Sequence, residues 1–383
     1  MLDTHEERRD VCCHLAIACG GTGGHFYPSL AVAREFAALG GRVTLLLAGK
    51  HVAEQASIAA SASIAARELP AVRLPRSLSQ AILFPVRMLR CIMRARAELK
   101  DLKPDILLGM GSFAAVPACL ALSRKELPLV LHEGNSFMGK ANRWLIRKAE
   151  SIALSLPLRY EKQLQGRKSA TLGMPLRQAI VDGLSLPQAT VSAYLDELGL
   201  SSERTTILVF GGSQGAGFIN ELMLQSLADI AKLPEPLQFI HLSGTDDNQA
   251  LQQAYDAVDI PALVKRSEGS IEKAFHSAAL VICRAGASSI CELALYQKPL
   301  ILIPLPSAAD DHQRMNAEVL QQAEAAKLLP QDKANAASLC NLLTDWQNNP
   351  QQWQKMADNL CNFAHADASR KLAELLWETR KVK

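Results

Sequence analysis

The chain has 383 residues, 49% of them apolar and 21% charged, and a formal net charge of +3 at pH 7. That length outgrows one comfortable core and fits two domains of ordinary size. The composition excludes a disordered chain, and so small a net charge, with no long run of Lys and Arg, gives no footing for a nucleic-acid partner.

Only 5% of residues are aromatic, so the core must be built from Leu, Ile, Val and Ala, a mix that suits buried parallel strands and their covering helices. The nine cysteines are odd in number, lack a CxxC pair and show no repeating spacing, which argues against zinc or disulfide frameworks. Cys12, Cys13, Cys19, Cys283 and Cys291 sit in or beside apolar segments, where a thiol behaves as a small hydrophobe. Reduced thiols predict a cytosolic location. The opening MLDTHEERRD does not read as a signal peptide, and apolar runs such as residues 299–306 are strand-length. Any membrane contact is therefore expected to be peripheral.

In chain order, a strand over residues 11–19 leads into Gly20-Gly21-Thr22-Gly23-Gly24, then a helix from about Pro28 to Leu39 and a strand over 42–47. Further strands are predicted at 105–110, 128–133 and 151–156. Residues 166–186 carry Gly173, Pro175 and Gly183, and are read as the crossing between domains. The opening pattern then repeats: strand 206–210, Gly211-Gly212-Ser213-Gln214-Gly215, a helix to about Ala231, and strand 237–242. Strands at 279–283 and 299–304 follow, then helical segments from about Ala334, with no strand after Leu329. Strands alternating with helices imply parallel sheets wound by right-handed crossovers. The expected fold is α/β, two Rossmann-like doubly wound domains facing a cleft.

A glycine turn between strand and helix presents backbone N–H groups at the positive end of the helix dipole, where phosphate binds; the plainer reading is a tight turn alone. A dinucleotide site would need a third glycine, but Phe26 follows, and the second strand ends Leu47-Ala48-Gly49-Lys50 without an acid for the ribose. Neither loop continues into Gly-Lys-Ser/Thr. A nucleotide diphosphate bound without either signature remains, as in a sugar nucleotide.

A third loop, Cys283-Arg284-Ala285-Gly286, opens a helix with Ala287, Ser288, Ser289, Ile290, Cys291 and Glu292. Glu292 is either a capping-box acid or an acceptor for ribose hydroxyls. Asp310-Asp311-His312-Gln313 follows the next strand. Either aspartate could cap the next helix, and Gln313 and His312 are expected to contact the donor. A DxD metal motif is absent, and no metal site or cofactor is called for, although a free divalent cation could assist.

Together these strings resemble the MurG family of peptidoglycan N-acetylglucosaminyltransferases. The resemblance rests on GGTGGHFYPSLAVA (20–33), GMGSFAAVP (109–117), HEGNSFMGKANRWL (132–145), GGSQGA (211–216), CRAGASSICELA (283–294) and DHQRMNA (311–317), in the family's order and over nearly the whole chain. It implies a GT-B fold and inverting transfer of N-acetylglucosamine from UDP-N-acetylglucosamine to the muramyl 4-hydroxyl of lipid I, giving lipid II at the cytoplasmic face of the inner membrane. It places donor contacts at Thr22, Gly23, Gly24, Asn135, Arg177, Ser213, residues 287–292 and Gln313. Gly134 and Met174 depart from the family's Gln and Asn, and no apolar residue near Glu268 marks the uracil site.

His25 is the expected catalytic base, with a structural histidine at the helix start as the alternative; Glu133 and His132 are reserves. Residues 78–99 interleave Ile82, Leu83, Phe84, Val86, Met88 and Leu89 with Arg76, Arg87, Arg90, Arg94 and Arg96. That mixture suits either an ordinary helix packed on the sheet or peripheral binding to anionic headgroups and the acceptor. The expected domains are 1–176 (acceptor and membrane), 177–365 (donor) and a closing helix at 366–383 that could pack back on the first. Competing functions are another GT-B glycolipid transferase, a UDP-sugar epimerase, or a nucleotide-binding protein without catalysis.

Overall fold

The computed structural model describes residues 13–20, 23–72, 75, 77–212 and 216–381. Residue 11, where the first strand was expected to begin, and Cys12, Gly21, Thr22, Arg76, Ser213, Gln214 and Gly215 lie outside the described residues. The chain divides into two compact units, one running to Arg177 and resuming at His365, the other spanning Gln178–Ala364.

The first unit contains β1 (His14–Cys19), α1 (Gly23–Ala38), β2 (Arg42–Ala48), α2 (Val52–Ser61), β3 (Ala65–Leu69), α3 (Leu78–Leu102), β4 (Ile106–Gly109) and α4 (Val116–Leu120). It continues with β5 (Leu129–Glu133), α5 (Lys140–Leu145), β6 (Ser151–Leu154) and β7 (Lys168–Thr171). Its seven strands lie in the order β3-β2-β1-β4-β5-β6-β7, all parallel. In the second unit run α6 (Gln178–Asp182), α7 (Gln188–Glu197), β8 (Thr205–Phe210), α8 (Ala216–Ile230), β9 (Leu237–Leu242), α9 (Gln249–Asp256), β10 (Ala262–Lys265) and α10 (Ile271–Ser277). After them come β11 (Leu280–Cys283), α11 (Ala287–Tyr296), β12 (Leu300–Leu302), α12 (His312–Gln322), β13 (Lys327–Leu328), α13 (Ala336–Asn348) and α14 (Pro350–Asn359). This sheet is ordered β10-β9-β8-β11-β12-β13, again parallel throughout. The last helix, α15 (Ala368–Thr379), belongs to the first unit.

Central strands are buried on both faces, so they read as unbroken apolar runs. In β1, Ala16 and Ala18 face a layer that includes Ala95 and Leu99 of α3. Leu15 and Ile17 face the opposite layer, where Phe36 of α1 meets Leu372, Ala373 and Leu376 of α15. Alanines on one side and larger residues on the other let a long helix lie close to the sheet.

One helix start and four strands differ from expectation. The first helix starts at Gly23 rather than near Pro28, which lies inside it. Proline is favoured at a first helical position and so marks a false start; here the glycine loop winds directly into the helix. Strands β3, β7, β10 and β13 were not predicted, and β7 occupies part of the segment read as a crossing.

Candidate active site

In parallel α/β sheets, ligands gather beyond the C-terminal strand ends. At that end of β1 Gly20 has φ +128°, and a Cβ there would lie 2.1 Å from the Ala48 carbonyl oxygen. Only glycine fits. Gly23 and Gly24, both exposed, form the first turn of α1, so their amides stand at the positive end of its dipole. Thr22, expected between them and Gly20, lies outside the described residues.

His25 follows in the same turn, half-buried. Desolvation lowers its imidazole to about 4, which keeps it neutral at pH 7 and able to accept a proton. His132, at the end of β5, is lowered to about 3 by desolvation and then by the proximity of His25. Arg177 stacks its guanidinium 5.8 Å from the Tyr27 ring centroid. The loop glycines, His25, His132 and Arg177 thus converge in the first unit.

Glu133 is 4% exposed. One oxygen accepts from the Asn135 backbone (3.0 Å) and side-chain amide (3.4 Å). The other accepts from Gly139 N–H (2.9 Å) and Asn142 Nδ2 (2.9 Å). Burial raises its pKa and these donors oppose the rise. Both oxygens are engaged by the 134–142 segment, so the carboxylate anchors that segment. Asn135, half-buried, is held by it. Asn142 also donates to the His132 carbonyl at 2.9 Å, a tie that sequence reasoning passed over. At the departure Met174, the buried sulfur accepts from the Ser155 hydroxyl at 3.6 Å, and Ser155 also bonds His132 Nε2 at 2.8 Å.

In the second unit, β8 ends at Gly211, where a Cβ would lie 2.2 Å from the Ala216 Cα, so the loop must turn without a side chain. Ser213 lies outside the described residues. The third loop is the best-defined site. Helix α11 has Gly286 as N-cap, with no side-chain cap bond. Its first amides, at Ala287, Ser288 and Ser289, are therefore not claimed by a capping side chain, as an anion site requires. Glu292 lies six residues beyond that cap, which removes the capping-box reading. Ser288, Ser289 and Glu292, all half-buried, share one helix face by their three- and four-residue spacing. Ile290 and Cys291 are only 0% and 2% exposed, so their side chains serve the core, and Ile290 N–H already bonds the Gly286 carbonyl at 3.0 Å.

Two further residues brace this loop and were missed. Arg284, 5% exposed, donates through Nη1 to the carbonyls of Ile303 (3.1 Å) and Pro304 (3.2 Å) and to Gln331 Oε1 (2.9 Å). Asn316, fully buried, donates to the Ala285 carbonyl at 3.0 Å. Arg284 shows in the sequence only as a charge inside an apolar string, and Asn316, within the polar run DHQRMNAEV, gives no signal at all. Gln313 Oε1 accepts from Leu305 N–H at 3.0 Å, which fixes its amide after β12. Asp311 is the N-cap of α12 by position but does not cap with its side chain; its carboxylate pairs with Arg314. Glu268 pairs with Lys265 and accepts from the Tyr194 hydroxyl at 2.9 Å. Among the described residues no cluster of three or more His, Cys, Asp or Glu could hold a metal ion.

Helix α3 exposes Ile82 (70%), Leu83 (49%), Val86 (50%), Leu89 (57%) and Met93 (63%), with Arg87 and Arg90 exposed beside them. Phe84 stacks on Phe113 at 6.3 Å between centroids, and Phe113 meets Trp144 at 6.1 Å. Trp144, 60% exposed, extends the apolar surface and was not anticipated. Among the described residues no helix is long and apolar enough to cross a membrane.

Residues 15–154 match the N-terminal domain of glycosyltransferase family 28, and residues 206–372 match its C-terminal domain. This chain belongs to glycosyltransferase family 28. Among family 28 relatives, it is 35% identical over 371 residues to the UDP-N-acetylglucosamine--N-acetylmuramyl-(pentapeptide) pyrophosphoryl-undecaprenol N-acetylglucosamine transferase of Colwellia psychrerythraea, covering 96% of this chain and 93% of the relative. The enzyme of the same description from Coxiella burnetii is 34% identical over 358 residues, covering 94% and 96%. The crystal structure of Acinetobacter baumannii MurG superposes with a TM-score of 0.76 at 28% identity, covering 96% of this chain and 99% of that one. A UDP-GlcNAc 2-epimerase from Neisseria meningitidis shares the fold at a TM-score of 0.67 and 13% identity. The family 28 assignment bears out both the resemblance to MurG and the GT-B architecture of two Rossmann-like domains.

Proposed function

We propose that this family 28 enzyme transfers N-acetylglucosamine from UDP-N-acetylglucosamine to the muramyl 4-hydroxyl of undecaprenyl-pyrophosphoryl-N-acetylmuramyl-pentapeptide (lipid I), giving lipid II and UDP. The observation that carries the reading is the start of α11, whose first-turn amides lack a side-chain cap while Ser288, Ser289 and Glu292 share the adjoining face. Amides there neutralise a diphosphate, and a carboxylate one turn on accepts from ribose hydroxyls.

In the reaction the acceptor oxygen attacks the anomeric carbon, the bond from that carbon to the UDP oxygen breaks with its electron pair on UDP, and configuration inverts. Negative charge grows on the departing diphosphate, where fixed N–H donors stabilise it. The hydroxyl proton must leave as the new bond forms, and neutral His25 is the group we assign to take it. Gly23 and Gly24, which precede His25, and Arg177, stacked on Tyr27, are assigned to substrate phosphate or sugar oxygens; Asn135, held by Glu133, and Gln313 are assigned to the donor sugar and nucleotide.

The acceptor is an amphiphile, so the enzyme must work at a lipid surface. The apolar face of α3 with Arg87 and Arg90 supports peripheral attachment to the cytoplasmic leaflet by shallow insertion and headgroup attraction.

Incubation with radiolabelled UDP-N-acetylglucosamine and a soluble lipid I analogue tests the proposal. Label should pass to the analogue with release of UDP. Label that rearranges within the nucleotide sugar, or UDP binding without turnover, would overturn it.

A further inference from the structure

A cavity of about 600 Å³ lies in the first unit, away from every loop described above. It is lined by residues at the N-terminal ends of β6 and β7, by Pro128 just before β5, and by Leu375 and Thr379 of α15. Strand β5 runs from that cavity to Glu133, five residues that span about 17 Å at a strand's rise. The cavity therefore occupies the opposite end of the sheet from His25 and Glu133.

Its lining is unlike a packing defect. Three cations, Arg124, Arg167 and Lys168, meet one carboxylate, Glu150. Arg124 engages both oxygens of that carboxylate, Nε at 2.8 Å and Nη2 at 2.5 Å. Arg167 and Lys168 both act on Glu150 to lower its pKa, after the Arg124 hydrogen bond, so their charges converge on the same place. With Glu150 matched by Arg124, the remaining charge of the lining is positive. Arg167 spends one nitrogen on the Arg147 carbonyl at 2.7 Å, which fixes the guanidinium and leaves its other N–H edge for a guest. The Ser151 hydroxyl is buried and has no hydrogen-bond partner, a state that proteins avoid unless something else satisfies it. The apolar part of the wall is supplied by Pro128, Ala170 and Leu375. A volume in this range, mostly apolar walls and a few convergent polar groups are the marks of a small-molecule site.

We propose that this cavity binds a small dianion with an apolar body, a phosphate monoester in chemical class, at a site separate from the transferase centre. The phosphate sits against Arg167 and Lys168, with the Ser151 hydroxyl turning from the wall to donate to it, while the organic part lies on Pro128 and Leu375. Because Leu375 and Thr379 belong to α15, an occupant fastens that helix to the edge of the sheet.

Phenyl phosphate is a suitable probe, titrated calorimetrically into the full chain at low salt with UDP present in excess to fill the donor site. One saturable site is expected, together with a raised melting temperature. The double variant R167Q/K168Q, altered at solvent-accessible positions that leave the core intact, should bind about tenfold more weakly or worse, while Glu292→Gln should bind phenyl phosphate as the unaltered chain does. Absence of saturable binding up to about 10 mM, or equal affinity in R167Q/K168Q, would overturn the proposal. A melting curve of the double variant matching the parent's excludes misfolding as the cause of lost binding.

Discussion

His25 and His132 are imidazoles that burial keeps neutral in one turn-and-strand corner of the first unit. For His25 the consequence is kinetic. Protonation would remove its capacity as a base, and with a value near 4 that loss begins well below the ordinary imidazole range. Turnover should hold level from pH 8 to 6 and fall only in more acid solution; an acid limb centred near 6.5 would contradict the assignment. His25→Ala should lower kcat by about 100-fold or more while the KM for UDP-N-acetylglucosamine changes little. Glu292 makes the opposite prediction. Glu292→Gln keeps the shape but removes the charge that strengthens a hydrogen bond from ribose, at a cost of about 1.5–3 kcal/mol. The dissociation constant for UDP should therefore rise about tenfold to a hundredfold, with kcat at saturation less affected. An unchanged constant would remove Glu292 from the nucleotide site.

Among elements, legibility followed burial. Strands β1, β4, β5, β8, β9 and β11 are buried along nearly all their length, and each announces itself as an apolar run. The four strands not foreseen, β3, β7, β10 and β13, are the edges of the two sheets. An edge strand has solvent on one side, so Ala65–Leu69 reads AAREL and Lys168–Thr171 reads KSAT, without an apolar run or clean alternation to reveal it. The same logic applies to the site. Glycine loops and the Ala287–Glu292 segment are local patterns and were legible; Arg284, Asn316 and the Glu133–Asn142 tie depend on carbonyls and amides brought near by the fold. Helix α3 sits between these cases. Its length was readable, but whether its apolar residues face the sheet or solvent was decided only by the structure, which leaves Ile82, Leu83 and Leu89 exposed while Ala95 and Leu99 are buried. We expect binding to anionic liposomes that weakens as salt rises, and Ile82→Asp with Leu89→Asp should abolish it while melting temperature is retained. Binding that ignores salt or survives both substitutions would count against this face.

At the scale of the whole molecule, both units conceal neutral histidines, and acid should therefore unfold both. His132 in the first unit and His241 in the second are 4% and 0% exposed, and desolvation lowers each to about 3. His132 bonds Ser155, and His241 bonds Tyr255 at 3.1 Å and Asn220 at 3.0 Å; a proton on either ring places an unpaired charge in a buried site, and on His241 it also disturbs a bonded partner. In the unfolded chain each titrates near 6.5. Between that value and 3 the unfolded state holds more protons than the folded one, so stability falls as pH falls. The stabilising contribution is present above about pH 6.5 and drains away toward pH 3. Going from pH 7 to pH 5 should cost the second unit about 2 kcal/mol through His241, or roughly 4–8 °C in melting temperature for a unit of this size, and the first unit more, because His25, lowered to about 4, draws on the same window as His132. Differential scanning calorimetry at the two pH values measures the shift directly. His132→Gln keeps a hydrogen-bonding group beside Ser155 without a titrating ring, so it should reduce the pH dependence of the first unit to the part carried by His25 and leave that of the second unchanged. A pH slope in His132→Gln as steep as the parent's in both units would show that some other group governs the acid response.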